Sequence, residues 1–324
     1  MKLEKIEKVN NINYLLLSDS KDFTTDYVAI ELEKRNVSYL RLDRDLLPGI
    51  KISWDISKQR LLVERNGDKY LIDDDTLKGV YYRAPTYLRE TFSRNTNVED
   101  QLKQSQWMSF YRNLLCFSKA RWINSPSATF FAENKMVQLK FAQEIGFKIP
   151  KTILANNADD LGSIKNPLIV KSLDTAVFSF DDSEAFVYTN TVSYDELKSA
   201  ELSIAPAIFQ ENLSSKTDYR VTVIDNVLFA VKILLNGHGF AGDWRKEKDN
   251  VSFVPAELSD EVSNMCYQIV KRLGLSFGAI DLIYSNNEYY FVEVNPTGEW
   301  AWLVDSAGHK IYMAICDFLT GDRP

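Results

Sequence analysis

The chain has 324 residues, with 38 Lys and Arg against 45 Asp and Glu, so its formal net charge is −7. This acidic balance disfavours general nucleic-acid binding, because such proteins present a basic surface to phosphate. The sequence has no uninterrupted apolar run of about 18 residues and no signal-peptide pattern, so neither a membrane partner nor export is expected. Three cysteines lie far apart among apolar residues, which predicts buried thiols in a reducing, cytoplasmic environment: Cys116, Cys266 and Cys316.

The first 125 residues alternate between strand and helix patterns. Residues 14–45 contain a short apolar run, a segment with helical spacing and a second apolar run, which predicts a parallel strand, helix and strand. Short alternating segments follow and are broken at residues 65–68, where Asn-Gly is typical of a hairpin turn. A further apolar run ends at Arg83, which could contact an anion or, as we favour, form a structural ion pair. An N-terminal α/β domain is therefore predicted over residues 1–125.

A second domain is predicted over residues 126–206. It is preceded by a long amphipathic helix over residues 98–120, whose predicted buried side chains are Leu102, Trp107, Phe110, Leu114 and Phe117. Pro126 marks the boundary, and one helix is expected over residues 127–147, closed by Gly146.

Two lysines lie at the ends of predicted elements in this second domain. Lys135 belongs to the expected helix, and Lys171 ends the apolar strand at residues 168–171. A lysine at a strand end is usually solvated. Residues 172–200 resemble a flap followed by a capped helix at residues 193–199.

The remaining residues, 207–324, are predicted to form a third, β-rich domain. A strand at residues 208–212 leads into a hairpin about Asp225 and Asn226, and a helix is expected over residues 257–273. The chain then enters a second hairpin over residues 278–295.

This second hairpin combines an apolar face with an oxygen-rich face. Strict alternation places Ile280, Leu282, Tyr290, Val292 and Val294 on the core face. Asp281, Glu293 and Asn295 fall on the other face, and their oxygens are ligands that a hard divalent cation takes.

The turn decides the register of this hairpin. A three-residue turn sets Asp281 opposite Glu293, whereas a two-residue turn sets it opposite Val292. The hairpin alone leaves two interpretations open, a solvated polar face and a metal site. Two carboxylates on neighbouring strands repel each other unless a cation lies between them, which favours the metal site.

The order of these features resembles the ATP-grasp ligases over nearly the whole chain. Three motifs are most similar to the microviridin-type and plesiocin-type graspetide synthetases: Asp-Trp-Arg at residues 243–245, Gly-Ala-Ile-Asp at 278–281, and Glu-Val-Asn-Pro with Gly-Glu-Trp at 293–300. The resemblance implies an α/β (α+β) ATP-grasp fold. A pre-ATP-grasp domain would occupy residues 1–125, and two ATP-grasp subdomains residues 126–206 and 207–324. The flap departs from the wider superfamily, because residues 172–178 contain no glycine.

The resemblance also implies a site for ATP and Mg²⁺. The implied ligands of ATP, through its phosphates and adenine, are Lys135, Lys171, Gln210, Glu211, Asn212 and Leu213. The implied Mg²⁺ ligands are Asp281, Glu293 and Asn295. The residues that would stabilise the transferring phosphoryl group and the acyl phosphate are Arg220 and Arg245, with Lys232 as a further candidate.

The implied enzyme is an ADP-forming macrocyclase of a ribosomally made precursor peptide. It would activate Asp or Glu side chains as acyl phosphates for attack by Thr or Ser hydroxyls or Lys amines. The leader of the precursor would dock near residues 176–200, where Asp181, Asp182 and Asp195 could meet a basic leader or simply be solvated. A homodimer is an expectation of the family.

Two alternatives share this fold. An amino-acid ligase acting on a protein or peptide tail would use the same phosphate and metal residues. A regulator that binds ATP without ligation need not keep the complete set of arginines and metal ligands, so the set found here weighs against it.

Overall fold

The computed structural model describes residues 9–83, 97–173, 177–179, 184–186, 189–213, 215–239 and 250–322. Within these residues the strands form four sheets of four or five strands and one two-stranded pair, with helices packed between them. No helix in the described part of the chain is long and apolar enough to cross a lipid bilayer.

The N-terminal region contains the predicted parallel unit. One sheet consists of four parallel strands: β2 Tyr14–Ser18, β3 Tyr39–Asp43, β7 Gly79–Tyr82 and β8 Arg121–Ile123. Their order across the sheet is β3-β2-β7-β8. Helix α1 Phe23–Lys34 connects β2 to β3, and the side chain of Asp22 caps it by accepting the backbone N–H of Thr24. The predicted strand, helix and strand are confirmed.

A second N-terminal sheet packs beside the first. Its strands, in the order β1-β6-β5-β4, are β1 Val9–Ile12, β4 Lys51–Asp55, β5 Arg60–Arg65 and β6 Asp68–Asp73. Asn66 and Gly67 join β5 to β6 with positive φ angles of 56° and 87°, so the predicted hairpin turn is confirmed.

Helix α2 Val98–Asn113 is shorter than predicted, and a 3-10 turn over Leu114–Cys116 follows it. Leu102 was expected in the core but is 61% exposed, because only the C-terminal half of α2 packs on the sheets. The prediction for Cys116 is also wrong. Its thiol is exposed in the 3-10 turn and donates to Oε1 of Gln59 at 3.0 Å, whereas Cys266 and Cys316 are buried.

The central region contains an antiparallel sheet and three helices. The strands, in the order β13-β10-β14-β9, are β9 Thr152–Ala155, β10 Leu168–Lys171, β13 Asn190–Val192 and β14 Ala207–Glu211. Strands β11 Val177–Ser179 and β12 Glu184–Phe186 form the two-stranded pair. The predicted helix over residues 127–147 is two helices, α3 Pro126–Ala132 and α4 Lys135–Ile145, and Gly146 ends α4 with a φ of 115°. Helix α5 Tyr194–Ser199 begins with the expected cap, Ser193.

The C-terminal sheet has the order β17-β16-β15-β18-β19 and is antiparallel. Its strands are β15 Thr217–Ile224, β16 Val227–Leu235, β17 Val251–Pro255, β18 Phe277–Ser285 and β19 Glu288–Asn295. The remaining helices are α6 Asp260–Arg272, α7 Trp302–Ala307 and α8 Ile311–Thr320.

The two faces of the C-terminal sheet pack against different parts of the chain. One face packs on α4 and α6. The other packs, at one end, on α8 and through it on the N-terminal parallel sheet. The far end of this second face carries the polar residues described below. Strand β14, which follows residue 206, pairs with β10 of the central sheet. The division of the chain into three domains at residues 125 and 206 stays a prediction.

Candidate functional site

A β-bulge sets the register of the hairpin β18–β19. The turn of this hairpin contains two residues, Asn286 and Asn287, whose φ angles of 51° and 62° fit a type I′ turn. A two-residue turn alone would place Asp281 opposite Val292. The register shifts by one residue between Asp281 and Leu282, so Asp281 pairs with Glu293. The bulge therefore replaces the three-residue turn on which the sequence-based pairing depended.

The bulge also changes which side chains enter the core. Phe291 pairs with Leu282 and is fully buried, whereas Tyr290 and Val292 are only partly buried. The placement of Tyr290 and Val292 on the core face is therefore wrong, because strict alternation fails where one strand carries an extra residue.

The oxygen-rich face is brought together as predicted. Asp281 pairs with Glu293 and Ala279 with Asn295, so both carboxylates and the amide lie on one face of the sheet. The amide nitrogen of Asn295 lies 3.4 Å from Oε1 of Glu293. This arrangement leaves the amide oxygen of Asn295 as the group suited to a cation.

Arg220 on strand β15 lies directly beside this face. It pairs with Asp281, is only 5% exposed, and its Nε lies 3.1 Å from Oδ1 of Asp281. Among the described residues, Nε and Nη1 of Arg220 have no well-aligned hydrogen-bond acceptor, and neither does the buried hydroxyl of Thr222. Buried guanidinium N–H groups are costly when unsatisfied, so the site is suited to an anionic oxygen.

The two predicted lysines reach the same face from the central region. Lys135, the first residue of α4, donates from Nζ to the carbonyl of Ser172 at 3.1 Å and lies 3.9 Å from Oε2 of Glu293. Lys171 ends strand β10. Burial lowers the pKa of the Lys171 ammonium; the carboxylate of Glu293 opposes this effect and the charge of Lys135 adds to it. Lys171 is therefore half-buried and partly desolvated rather than fully solvated.

Lys216 is a third lysine at this site and is not among the residues predicted from the sequence. Its Nζ lies 2.8 and 2.9 Å from the two carboxylate oxygens of Asp218, and its charge also lowers the pKa of Lys171. Alternation along β15 could have identified it, because residues 216, 218 and 220 share one face.

The predicted adenine segment consists of the last two residues of strand β14 and the two residues after it. The side chain of Gln210 is buried within the central sheet, where Nε2 donates to the hydroxyl of Thr152 at 2.9 Å. The backbone N–H of Glu211 donates to the carbonyl of Lys151 at 2.9 Å. Asn212 and Leu213 continue beyond the strand, and Leu213 is buried. The roles of these four residues toward adenine stay predictions.

One predicted catalytic residue, Lys232, is not brought to this face. Lys232 pairs with Tyr219, whose ring lies in the core with Leu282, so Lys232 projects to the opposite face of the sheet from Arg220. Its Nζ lies 6.0 Å from the centre of the Tyr219 ring. Lys232 was predicted at the site because its strand neighbours that of Arg220. Side chains alternate between the two faces of a strand, however, and Lys232 lies on the face away from the site. Arg245 lies outside the described residues.

Arg83 forms the structural ion pair favoured from the sequence. Its guanidinium donates to the carboxylate of Glu299, to the carbonyl of Thr297 and, at 3.0 Å, to the hydroxyl of Thr24. Asp22 lies 3.5 Å from its Nε. The arginine thus links the N-terminal sheet to the loop that follows the oxygen-rich strand.

The donor set fits Mg²⁺ bound together with phosphate. Mg²⁺ usually takes one or two protein carboxylates and fills its remaining positions with water and phosphate oxygens. Asp281, Glu293 and Asn295 supply two carboxylates and an amide. The described residues contain no group of three or more His, Cys, Asp or Glu that could hold a metal without such a partner. The neighbouring ammonium groups suit the phosphates.

Comparison with known proteins places the chain in a family. Residues 132–317 match the RimK-like ATP-grasp domain. A RiPP-associated ATP-grasp ligase from Chryseobacterium gregarium, in complex with ADP and a leader and core peptide, is similar, with 24% identity and a TM-score of 0.82; 97% of this chain and 98% of that chain are covered. The macrocyclase MdnB from Microcystis aeruginosa has 27% identity and a TM-score of 0.73, with 96% and 99% covered. MdnC from the same organism, bound with the precursor peptide MdnA, has 21% identity and a TM-score of 0.80, with 95% and 99% covered.

The chain belongs to the RimK-like ATP-grasp family. The ATP-grasp domain predicted from the sequence is therefore present, and the ATP-grasp ligase PsnB, which is 20% identical with a TM-score of 0.75, was solved with Mg and ADP. The resemblance to graspetide synthetases predicted from the sequence is confirmed, because solved peptide macrocyclases cover nearly the whole chain.

Proposed function

We propose that this protein is an ATP-dependent macrocyclase of a ribosomally made precursor peptide. The observation that carries the proposal is the convergence of Asp281, Glu293 and Arg220 with Lys135 and Lys171 on one face of the C-terminal sheet. Nearly full-length similarity to peptide macrocyclases supports the choice of a peptide substrate.

The chemistry consists of two steps. An oxygen of an Asp or Glu side chain of the peptide attacks the γ-phosphorus of ATP, the bond to the β–γ bridging oxygen breaks, and ADP leaves. A Thr or Ser hydroxyl, or a Lys amine, then attacks the carbonyl carbon of the acyl phosphate, loses its proton and expels phosphate. The peptide loses one water per ring, while one ATP becomes ADP and phosphate.

The side chains of the site serve this chemistry by positioning and by charge. Lys135 and Lys171 would bind phosphate oxygens, and Asp281, Glu293 and Asn295 would hold Mg²⁺. Bound Mg²⁺ neutralises charge on the phosphates. Such a site needs no nucleophilic Cys or His, because phosphoryl transfer depends on positioning and electrostatic stabilisation.

Two arginines would stabilise the transferring phosphoryl group and the acyl phosphate. Arg220 lies beside Asp281, with Nε and Nη1 lacking a well-aligned acceptor among the described residues, and would stabilise negative charge on the transferring phosphoryl group. We propose the same role for Arg245, on the basis of its Asp-Trp-Arg motif. Lys232 is less suited to this role, because it projects to the other face of the sheet.

Further expectations concern the assembly. The leader peptide would bind near residues 176–200; there, Asp195 has an exposed carboxylate 3.4 Å from Nζ of Lys198, while Asp181 and Asp182 lie outside the described residues.

A homodimer and a cytoplasmic location are also proposed, and light scattering of the purified protein tests the dimer.

The deciding experiment is the intact mass of a candidate precursor peptide, encoded beside this chain, after incubation with the protein, ATP and Mg²⁺. Loss of one water per ring, with ADP released in step, is the expected result. ADP release that requires free amino acids, with a corresponding gain in peptide mass, would instead identify an amino-acid ligase. The absence of ADP under every condition would indicate a regulator that only binds the nucleotide.

A further inference from the structure

Among the described residues, strand β19 lies at the edge of the C-terminal sheet: its ladder partner is β18, and on the other side it has an isolated bridge from Tyr290 to Lys148. Peptide groups on the open side of an edge strand have no ladder partner and need another donor and acceptor. Val294 lies between the proposed ligands Glu293 and Asn295 and is only 1% exposed. Its backbone N–H and carbonyl must therefore be satisfied by the protein.

The side-chain amide of Gln138 satisfies both groups. Its Oε1 accepts the backbone N–H of Val294 at 2.9 Å, and its Nε2 donates to the carbonyl of Val294 at 2.8 Å. The same Nε2 donates to the carbonyl of Ala132 at 2.5 Å, and Gln138 is only 2% exposed. The amide thus takes the place of a peptide group from a neighbouring strand.

Gln138 also connects this strand to a residue proposed to bind phosphate. It lies on helix α4, three residues and about one turn after Lys135. Lys135 lies 3.9 Å from Oε2 of Glu293. Helix α4 therefore approaches β19 twice, through the backbone of Val294 and through the carboxylate of Glu293.

The bulge makes this connection important. The ladder between β18 and β19 shifts by one residue immediately before Glu293, so regular pairing is interrupted on that side of the ligands. Beyond Asn295 the strand ends. The amide of Gln138 binds the backbone between these two points.

We propose that Gln138 is a positioning residue for the Mg²⁺ site. By fixing the backbone of Val294, it fixes Glu293 and Asn295 relative to each other and to Lys135. The inference rests on the proposed roles of Glu293 and Asn295 as metal ligands. It does not depend on which acceptor attacks the acyl phosphate.

The test compares Gln138→Leu with Gln143→Leu, a matched control at an exposed position of the same helix. One measurement is amide hydrogen exchange over residues 288–295 in the protein without nucleotide or metal. The other is the Mg²⁺ concentration that gives half-maximal strengthening of ADP binding, measured by calorimetry.

We expect Gln138→Leu to accelerate exchange of the Val294 amide and to raise the required Mg²⁺ concentration, each by about tenfold. Binding of ADP without Mg²⁺ should be unchanged, and Gln143→Leu should resemble the wild type. A merely structural role would lower Tm without moving the Mg²⁺ dependence, and that outcome would overturn the proposal.

Gln138→Asn covers the case in which the leucine variant does not fold. Its shorter amide should give an intermediate Mg²⁺ dependence, and an unchanged dependence would also overturn the inference. A failed macrocyclase proposal is distinguishable, because neither measurement uses a peptide. If Glu293→Gln leaves the Mg²⁺ dependence of ADP binding unchanged, the ligand assignment itself fails.

Discussion

At the scale of single residues, the site balances half-buried charges of both signs around the buried Arg220. Lys171 is the clearest case, because burial lowers the pKa of its ammonium although the carboxylate of Glu293 lies near. The desolvated ammonium of Lys171 therefore lowers the stability of the folded protein, but it lies where a polyanion such as ATP would bind. Stability and nucleotide binding should therefore respond in opposite directions when such a group is removed.

We expect Lys171→Met to raise Tm at neutral pH and to weaken ATP binding by about 10- to 100-fold. The pKa of Lys171 is lowered on folding, so the unfolded chain binds more protons between the lowered value and 10.5, and stability rises with pH in that alkaline range. The Tm advantage of the variant should accordingly shrink as the pH approaches about 10.5. Thermal unfolding at several pH values and calorimetry with ATP measure both effects.

The control for this prediction is Lys165→Met, which changes an exposed lysine before the same strand. It should leave Tm and ATP binding close to the wild-type values. A lower Tm for Lys171→Met than for the control would contradict the prediction.

Glu293→Gln tests the metal assignment. The amide is a poorer Mg²⁺ ligand than the carboxylate, so turnover should fall by about 100-fold or more while ATP binding is weakened but detectable. ADP release and nucleotide calorimetry measure the two quantities. Glu288→Gln, at the turn end of the same strand, should keep wild-type turnover, and full activity of Glu293→Gln would refute the assignment.

At the scale of elements, the hairpin β18–β19 and the loop after it form one packed unit. Gly298, in the loop, lies against both strands that carry the site. A Cβ added at Gly298 would overlap the Cβ of Ala279 and approach Nη1 of Arg220 to 3.3 Å. Only glycine allows this close approach, which explains why the Gly-Glu-Trp motif follows the oxygen-rich strand.

Gly298→Ala should therefore destabilise the protein by about 1–3 kcal/mol, because the added methyl group overpacks the core. Turnover should fall as well, since Arg220 must shift. Urea unfolding and ADP release measure these effects. Gly162→Ala is the control, because a Cβ there meets no atom of the described residues within 4 Å; equal stabilities for the two variants would rule out the packing argument.

At the scale of the whole molecule, the first and last thirds of the chain share one hydrophobic core. It contains side chains from the parallel sheet, from helix α8 and from the C-terminal sheet. The contacts of Arg83 with Thr297 and Glu299 lie beside this core and span more than 200 residues of sequence. The site residues on the C-terminal sheet are thus supported from the N-terminal region.

Arg83→Met should lower the free energy of unfolding by about 1–3 kcal/mol and reduce turnover, because Glu299 and the carbonyl of Thr297 lose their buried donor. Glu299→Gln is the matched variant, since its amide oxygen still accepts from Arg83, and it should remain close to the wild type. Denaturant unfolding monitored by tryptophan fluorescence, together with ADP release, measures these changes. Equal losses in the two variants would show that the charge, rather than the hydrogen bonds, is essential.

The sequence by itself determined several elements of the fold and most of the side chains that meet at the site. Periodicity predicted β2, α1 and β3, the hairpin about Asp225 and Asn226, and the oxygen-rich face that carries Asp281 and Glu293. These features depend on neighbouring residues and on short-range alternation, which the amino-acid order specifies directly.

Only the tertiary structure decided the features that depend on distant contacts. The bulge before Glu293 and the exposure of Leu102 follow from strand pairing and packing over the whole fold. The amide of Gln138 meets Val294 across 156 residues, and no local pattern encodes that contact. The position of a bulge and the hydrogen bonds of a buried amide depend on which groups lie opposite them. Those groups come together only when the chain has folded.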